Sequence, residues 1–465
     1  MAGVIINHDQ ALRQREDFNL LYEPIEEMVK SLVESWEKND PLEPLFVRDS
    51  IDRLQKTYSS SIGYDQVMSE SADYSVGEIS NAQSGFRKTV STRPFRGSKI
   101  IAQEVIDDSP EDIGKELSKW TKAWMRNRVQ YALKSLDAGF GNTVKWGDPN
   151  FGVVSPMLLK SADTTDGVVE TQTTNPLFIN THTIVKRDFQ ENVVRQSNKY
   201  VAPGVMIGSN DPGQLAKLAD VINHVKTEMD LWLDDNGQRV DYSGEKVFVT
   251  GYDARIQTAM SIIFGEKYVG GPDQQNPAYQ AGVHKMHSMY NDIDALRPVY
   301  GKINADGTIT PNTNPNDRSG SLLGFGMFIV NKSYMSENNG LTFLERLPLT
   351  IKGVSLGQND MNPEGVGYKG YCRFDIVNCT WRGIAYIWIG DTRAIPDTLK
   401  IGSSDLATLY SVASADTMKS AAIALKTDAT TIAQGKGSFT LITPVETIVK
   451  PVSVVNTVAT KEVTA

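Results

Sequence analysis

Apolar side chains recur at intervals of three and four along several stretches of this chain and at intervals of two along others. Ile25, Met28, Leu32 and Trp36 fall on one helical face, with Pro24 at a first-turn position and Asp40-Pro41 as a stop. The first 40 residues therefore predict helix, and a second short helix is expected over Val47 to Tyr58. From Ser59 to Gln103 the helical period disappears into a stretch rich in Ser, Gly, Thr and Tyr. Strand-like pieces at Ala72 to Ile79, Phe86 to Thr92 and Lys99 to Val105 are separated by Gly85, Pro94 and Gly97. About 45 such residues are too many for a connection inside a compact domain and predict an extended two-stranded arm.

Ser109-Pro110-Glu111-Asp112 is the clearest local signal, with Ser109 as cap, Pro110 in the first turn and Asp112 in capping-box position. A long helix should follow to about Leu136 and stop at Gly139, with Ile113, Leu117, Trp120 and Trp124 as one stripe and Val129, Leu133 and Leu136 extending it. Residues 147 to 210 carry no clear period. Leu215, Leu218, Ile222, Val225, Met229 and Trp232 then predict an amphipathic helix. Lys246 to Thr250 predicts a strand and Asp253 to Phe264 a helix, a strand–helix pairing of an α/β layer. Asp306-Gly307 between Lys302-Ile303 and Thr308-Ile309 predicts a hairpin. Tyr368, Cys372, Phe374 and Ile376 alternate with Lys369, Tyr371, Arg373 and Asp375, a half-buried strand, and Ile384 to Ile389 is apolar on both faces, a central one. Residues 403 to 465 shift to Ala, Thr, Ser and Val, and read as an appended tail whose β-rich pieces should pair with a sheet edge elsewhere.

Composition narrows the class. At 465 residues the chain has room for roughly three domains. Its 40% hydrophobic and 22% charged residues are those of a globular protein. Net charge is 47 − 56 = −9, so there is no global basic field for nucleic acid. Two cysteines, Cys372 and Cys379, exclude a disulfide scaffold. The start, MAGVIINHDQ, lacks a basic leader region and no run of 18 apolar residues occurs, so neither a signal peptide nor a membrane span is expected.

Motifs that suggest catalysis lack their context. Gly353-Val354-Ser355-Leu356-Gly357 matches a hydrolase nucleophile elbow, but turn-forming residues follow and the last histidine, His287, lies upstream. Gly365-Val366-Gly367-Tyr368-Lys369-Gly370 matches the dinucleotide fingerprint, yet a strand follows rather than a helix. His284 and His287, with Asp292 and Asp294 nearby, could share a helix face and a metal; a polar helix surface is the simpler reading. No catalytic, cofactor-binding or metal-ligating residue is assigned.

Four runs of sequence carry the resemblance that remains. Ala102 to Ile113 (AQEVIDDSPEDI) and Tyr131 to Gly139 (YALKSLDAG) resemble the entry and end of the spine helix in the major capsid proteins of tailed bacteriophages. Lys246 to Met260 and Cys372 to Asp391 are similar to that family's axial strand–helix and its closing peripheral strands. The resemblance implies an α+β, Hong Kong 97-type capsid fold. Its parts would be an N-terminal arm (1–58), an extended E-loop (59–104), a peripheral domain with the spine helix (105–146), an axial domain (147–340), closing peripheral strands (341–402) and a C-terminal extension (403–465). It further implies a structural subunit that self-assembles as hexamers and pentamers into an icosahedral shell around double-stranded DNA. Such a subunit would be a virion protein assembled in the bacterial cytoplasm, without cofactor or membrane. Decoration, portal and scaffolding proteins are possible partners, and DNA contact would be non-specific at most. The competing readings are an α/β enzyme of another class and a tail or portal component.

Charge supplies the candidate contacts between subunits. Arg87, Lys88, Arg93, Arg96 and Lys99 put five cations into thirteen residues without an acid. Directly downstream, Glu104, Asp107, Asp108, Glu111, Asp112 and Glu116 outnumber Lys115 six to one. The basic arm is expected to dock on the acidic start of a neighbour's spine helix, where a helix N-terminus already favours acids.

Overall fold

The computed structural model describes residues 27–38, 40–63, 83–102, 110–141, 144–145, 153–154, 158–163, 171–179, 182–183, 195–202, 212–234, 239–240, 246–265, 284–289, 293–355 and 365–399. The expected tail from 403 and the strand piece Ala72 to Ile79 lie outside these residues.

The first described element is a helix over 27–38 (α1). Val29 and Val33 face the core, with Met28 and Trp36 packed beside them, while Leu32 is only half-buried. The stripe is thus rotated slightly from the one expected. The short helix expected over Val47 to Tyr58 is instead strand: β1 (Val47–Ser50) and the start of β2 (Gln55–Gly63). β1 lies parallel to a long late strand, Val47 opposite Thr342 and Ser50 opposite Glu345. Pairing with that distant edge overrides a weak local helix pattern.

β2 pairs antiparallel with β3 (Gln83–Ser91), Gln55 opposite Ser91, in a two-stranded ladder that joins no other sheet among the described residues. After one residue the chain enters β4 (Arg93–Ala102). Pro94 and Gly97 were expected to break the strands here, and both lie inside β4. A 29-residue helix follows, α2 (Pro110–Ala138), about 43 Å long.

A seven-stranded sheet carries the middle of the chain. Its path runs β5 (Lys199–Ala202), β13 (Ile384–Gly390), β10 (Ser321–Asn331), β6 (Lys246–Gly251) and β7 (His284–Met289), with β8 (Val299–Ile303) pairing both β10 and β9 (Ile309–Pro311). The expected central strand is β13, buried at every residue between β5 and β10. The expected hairpin at Asp306-Gly307 joins β8 to β9, with Gly307 at φ +78° supplying the left-handed turn. α3 (Pro212–Asp230) and α4 (Ala254–Gly265) bury their apolar stripes in the same core. Asp253 caps α4, its Oδ1 accepting from the amides of Arg255 at 2.9 Å and Ile256 at 3.4 Å.

The last long strands, β11 (Thr342–Ser355) and β12 (Gly365–Val377), return to the first part of the chain. They complete a four-stranded sheet ordered β1-β11-β12-β4, antiparallel except for β1. α2 lies across one face of it. Tyr131 meets Phe95 and Phe374 edge-on at 5.3 and 5.5 Å, and Phe374 stacks on Phe95 and Phe343. Gly97 of β4 stands opposite Gly370 of β12. The Trp124 indole covers both: a Cβ at Gly97 would meet its Cζ2 at 2.7 Å, and one at Gly370 at 2.9 Å. These glycines hold open a seat for an indole rather than make a turn.

Candidate inter-subunit surface

Within the chain, the cations marked by the sequence take different partners. Arg87 pairs through its backbone with Ser59 in the β2–β3 ladder. Lys88, one residue on, turns inward: its Nζ donates to the Asn378 carbonyl at 3.1 Å and to Asn378 Oδ1 at 3.0 Å. Burial pulls its ammonium below the usual lysine range. This lysine ties the root of the hairpin to the end of β12.

Arg93 sits 3.4 Å from Asp375, whose carboxyl is pushed up by burial and pulled back by Arg93. Arg96 lies over the Tyr371 ring at 5.6 Å. Lys99 reaches Glu116 of its own α2 at 2.6 Å, and Lys119 holds the other Glu116 oxygen at 3.1 Å. These two lysines lower the Glu116 carboxyl. One marked cation and one marked acid therefore meet within the chain, where β4 runs beside the start of α2. Glu111 and Asp112 occupy the first turn of α2. Glu104, Asp107 and Asp108 lie outside the described residues.

A second polar group, unmarked by the sequence, joins four elements around the sheet. Asp40, after α1, accepts from the Leu42 amide at 3.0 Å and from Arg48 of β1 at 3.1 Å. Arg128 of α2, 6% exposed, lies 3.4 Å from Glu345 of β11 and 3.8 Å from Asp40, over the Phe343 ring at 4.4 Å. Burial raises the Glu345 carboxyl, and Arg128 opposes the rise. Asp40, Arg128 and Glu345 lie 88 positions or more apart, so no local spacing could have shown them together.

The motifs with catalytic spacing fall on strands. Gly353, Val354 and Ser355 end β11, and Gly365 to Gly370 open β12 and pair with β4. His284 and His287 lie on β7, not on a helix as expected, opposite Lys246 and Val249. The strand replaces the helix face on which they were to meet. Burial pushes the Cys372 thiol up to about 12 and the Cys379 thiol up to about 11, so both remain protonated at neutral pH.

No protein-family model matches the chain, and no curated protein matches it by sequence. The chain is similar to solved structures of the cyanophage P-SCSP1u capsid (9% identity, 75% of this chain and 88% of that chain, TM-score 0.39) and of the bacteriophage PhiM1 mature capsid (9%, 75% and 86%, 0.38). It is also similar to a virus-like particle from Pyrococcus furiosus (8%, 79% and 98%, 0.36). These three solved structures, to which the mixed α+β chain is similar, are those of two phage capsids and a virus-like particle.

Proposed function

We propose that the chain is the structural subunit of an icosahedral phage capsid, with a Hong Kong 97-type arrangement of arm, E-loop, spine helix, peripheral sheet and axial sheet. The observation that carries this reading is the β2–β3 ladder. Its backbone pairs only with itself among the described residues, and its root is fastened to the body. Ile51, Tyr58, Leu344 and Val377 form a small separate cluster there, with Val90 and Cys379 against it. A two-stranded ribbon is marginal in water by itself and gains most by lying on another surface. Repeated in identical copies, an arm of this kind makes the heterologous contacts from which rings and shells are built.

The subunit would act without a catalytic centre, as hexamers and pentamers, in a particle assembled in the host cytoplasm. Contact with packaged DNA would be non-specific. Negative-stain electron microscopy of the purified protein tests the reading. Rings of five or six copies, or closed shells, are expected; a monodisperse monomer at high concentration would overturn it.

A further inference from the structure

Along the rungs from Leu347 to Lys352 of β11, the charged residues on the face of the four-stranded sheet turned away from α2 are all cations. Register places Lys352 of β11 directly opposite Lys369 of β12. One rung along, Thr350, Tyr371 and Arg96 lie side by side, and on the next Leu347, Arg373 and Pro94. Arg96, Lys352 and Lys369 are exposed and Arg373 half-buried. None of the four has an acidic partner among the described residues: Arg96 lies over Tyr371, and Arg373 donates through Nε to the Thr92 carbonyl at 3.3 Å. Ile100 and Leu347, 54% and 40% exposed, add apolar area to the same face. Like charges directly opposed across a ladder destabilise it. A chain of net charge −9 that keeps them there has a use for an acidic visitor.

We propose that this face is the docking surface for a second copy of the chain, which presents its acidic run Glu104 to Asp112. That run holds Glu104, Asp107, Asp108, Glu111 and Asp112, five acids in nine residues with no Lys or Arg. Glu111 and Asp112 fall in the first turn of α2, the helix that lies against the other face of the sheet, where Lys99 already holds Glu116. The two patches are made of different residues of one chain, so the contact is heterologous and repeats from copy to copy. The inference rests on the shell-subunit reading and names the surfaces through which copies would meet.

The test uses the full chain and a labelled peptide of residues 103–113, titrated by fluorescence anisotropy. The wild type is expected to bind the peptide at low salt and to release it near 1 M salt, where screening falls to about 3 Å. K352E/K369E should weaken binding about tenfold or more, since it puts acid against acid. K352Q/K369Q should give an intermediate loss, and circular dichroism should match the wild type for both. A peptide with its five acids changed to Gln should not bind. Equal peptide binding by the wild type and K352E/K369E overturns the proposal. So does stronger binding of duplex DNA than of peptide at this face, which would mark it as a nucleic-acid surface. In assembly, K352E/K369E should fail to form rings, and D107K/D108K in the same chain should restore them. Rings indifferent to these charges would sink the docking surface and leave the shell; peptide binding as stated by a protein that forms no rings would sink the shell and leave the surface.

Discussion

Single side chains hold this molecule together where distant strands meet, and two can be tested directly. Trp124 occupies the space left by two missing Cβ atoms, at Gly97 and Gly370. Gly97→Ala forces backbone or indole to move and should cost about 1–3 kcal/mol in urea unfolding. The same change in a Trp124→Leu background should cost clearly less, since the smaller side chain leaves the clash unmade. His182 is buried, stacked on Trp381 at 4.1 Å, with Nε2 3.0 Å from Asn198 Oδ1. Burial pulls its imidazole down to about 3. The unfolded chain therefore takes up a proton that the folded chain refuses, and its stability is full above about pH 6.5 and falls as pH drops toward 3. Between pH 7 and pH 5 this residue alone should cost roughly 2 kcal/mol. Unfolding of His182→Gln at the same two pH values should lack that part of the loss; equal losses in both proteins would show that His182 does not titrate on unfolding.

At the scale of elements, the hairpin root depends on polar contacts more than on its small apolar cluster. Asp49 of β1 accepts from the Tyr58 hydroxyl at 2.6 Å and from Lys56, while Lys88 of β3 holds Asn378. Lys88→Met keeps the apolar stem and removes the donor, leaving the Asn378 oxygens unmatched. The expected loss is about 1–3 kcal/mol. Hydrogen exchange should rise in Gln55–Gly63 and Gln83–Ser91 before it rises in β13. Uniform exchange across the molecule would mean that the hairpin and the body open as one unit.

For the molecule as a whole, the described core closes at its last residues. Leu399 is fully buried, and Lys199 of β5 donates to its carbonyl at 2.9 Å. A chain ending after Gly402 should therefore stay soluble and unfold cooperatively, with the same midpoint as the full chain within about 1 kcal/mol. Particles built from it should be less stable to heat if the tail pairs with a neighbouring sheet edge. Aggregation of the truncated chain as an unfolded polypeptide would place residues beyond 402 in the core.

Local sequence alone determined the long helix, the α3 and α4 stripes, the β6–α4 pairing, the β8–β9 hairpin, the alternation of β12 and the burial of β13. In each, a cap, a turn pair or an apolar repeat within one short stretch meets one environment and records it. The strand at Val47 to Ser50, the place of β4 in a sheet with β12 and the strand at His284 were left to the tertiary structure, because ladder partners from other parts of the chain outweigh weak local preferences. The same holds for charge. Sequence density marked Arg87 through Lys99 as one basic arm, but strand alternation and burial divide it: Lys88 inward to Asn378, Lys99 to Glu116 on the helix side, Arg96 to the outer face beside Lys352, Lys369 and Arg373. A run of charges fixes how much charge a segment carries. Which side of a sheet each charge takes, and which distant residues stand beside it, is settled only when four strands from both ends of the chain come into register.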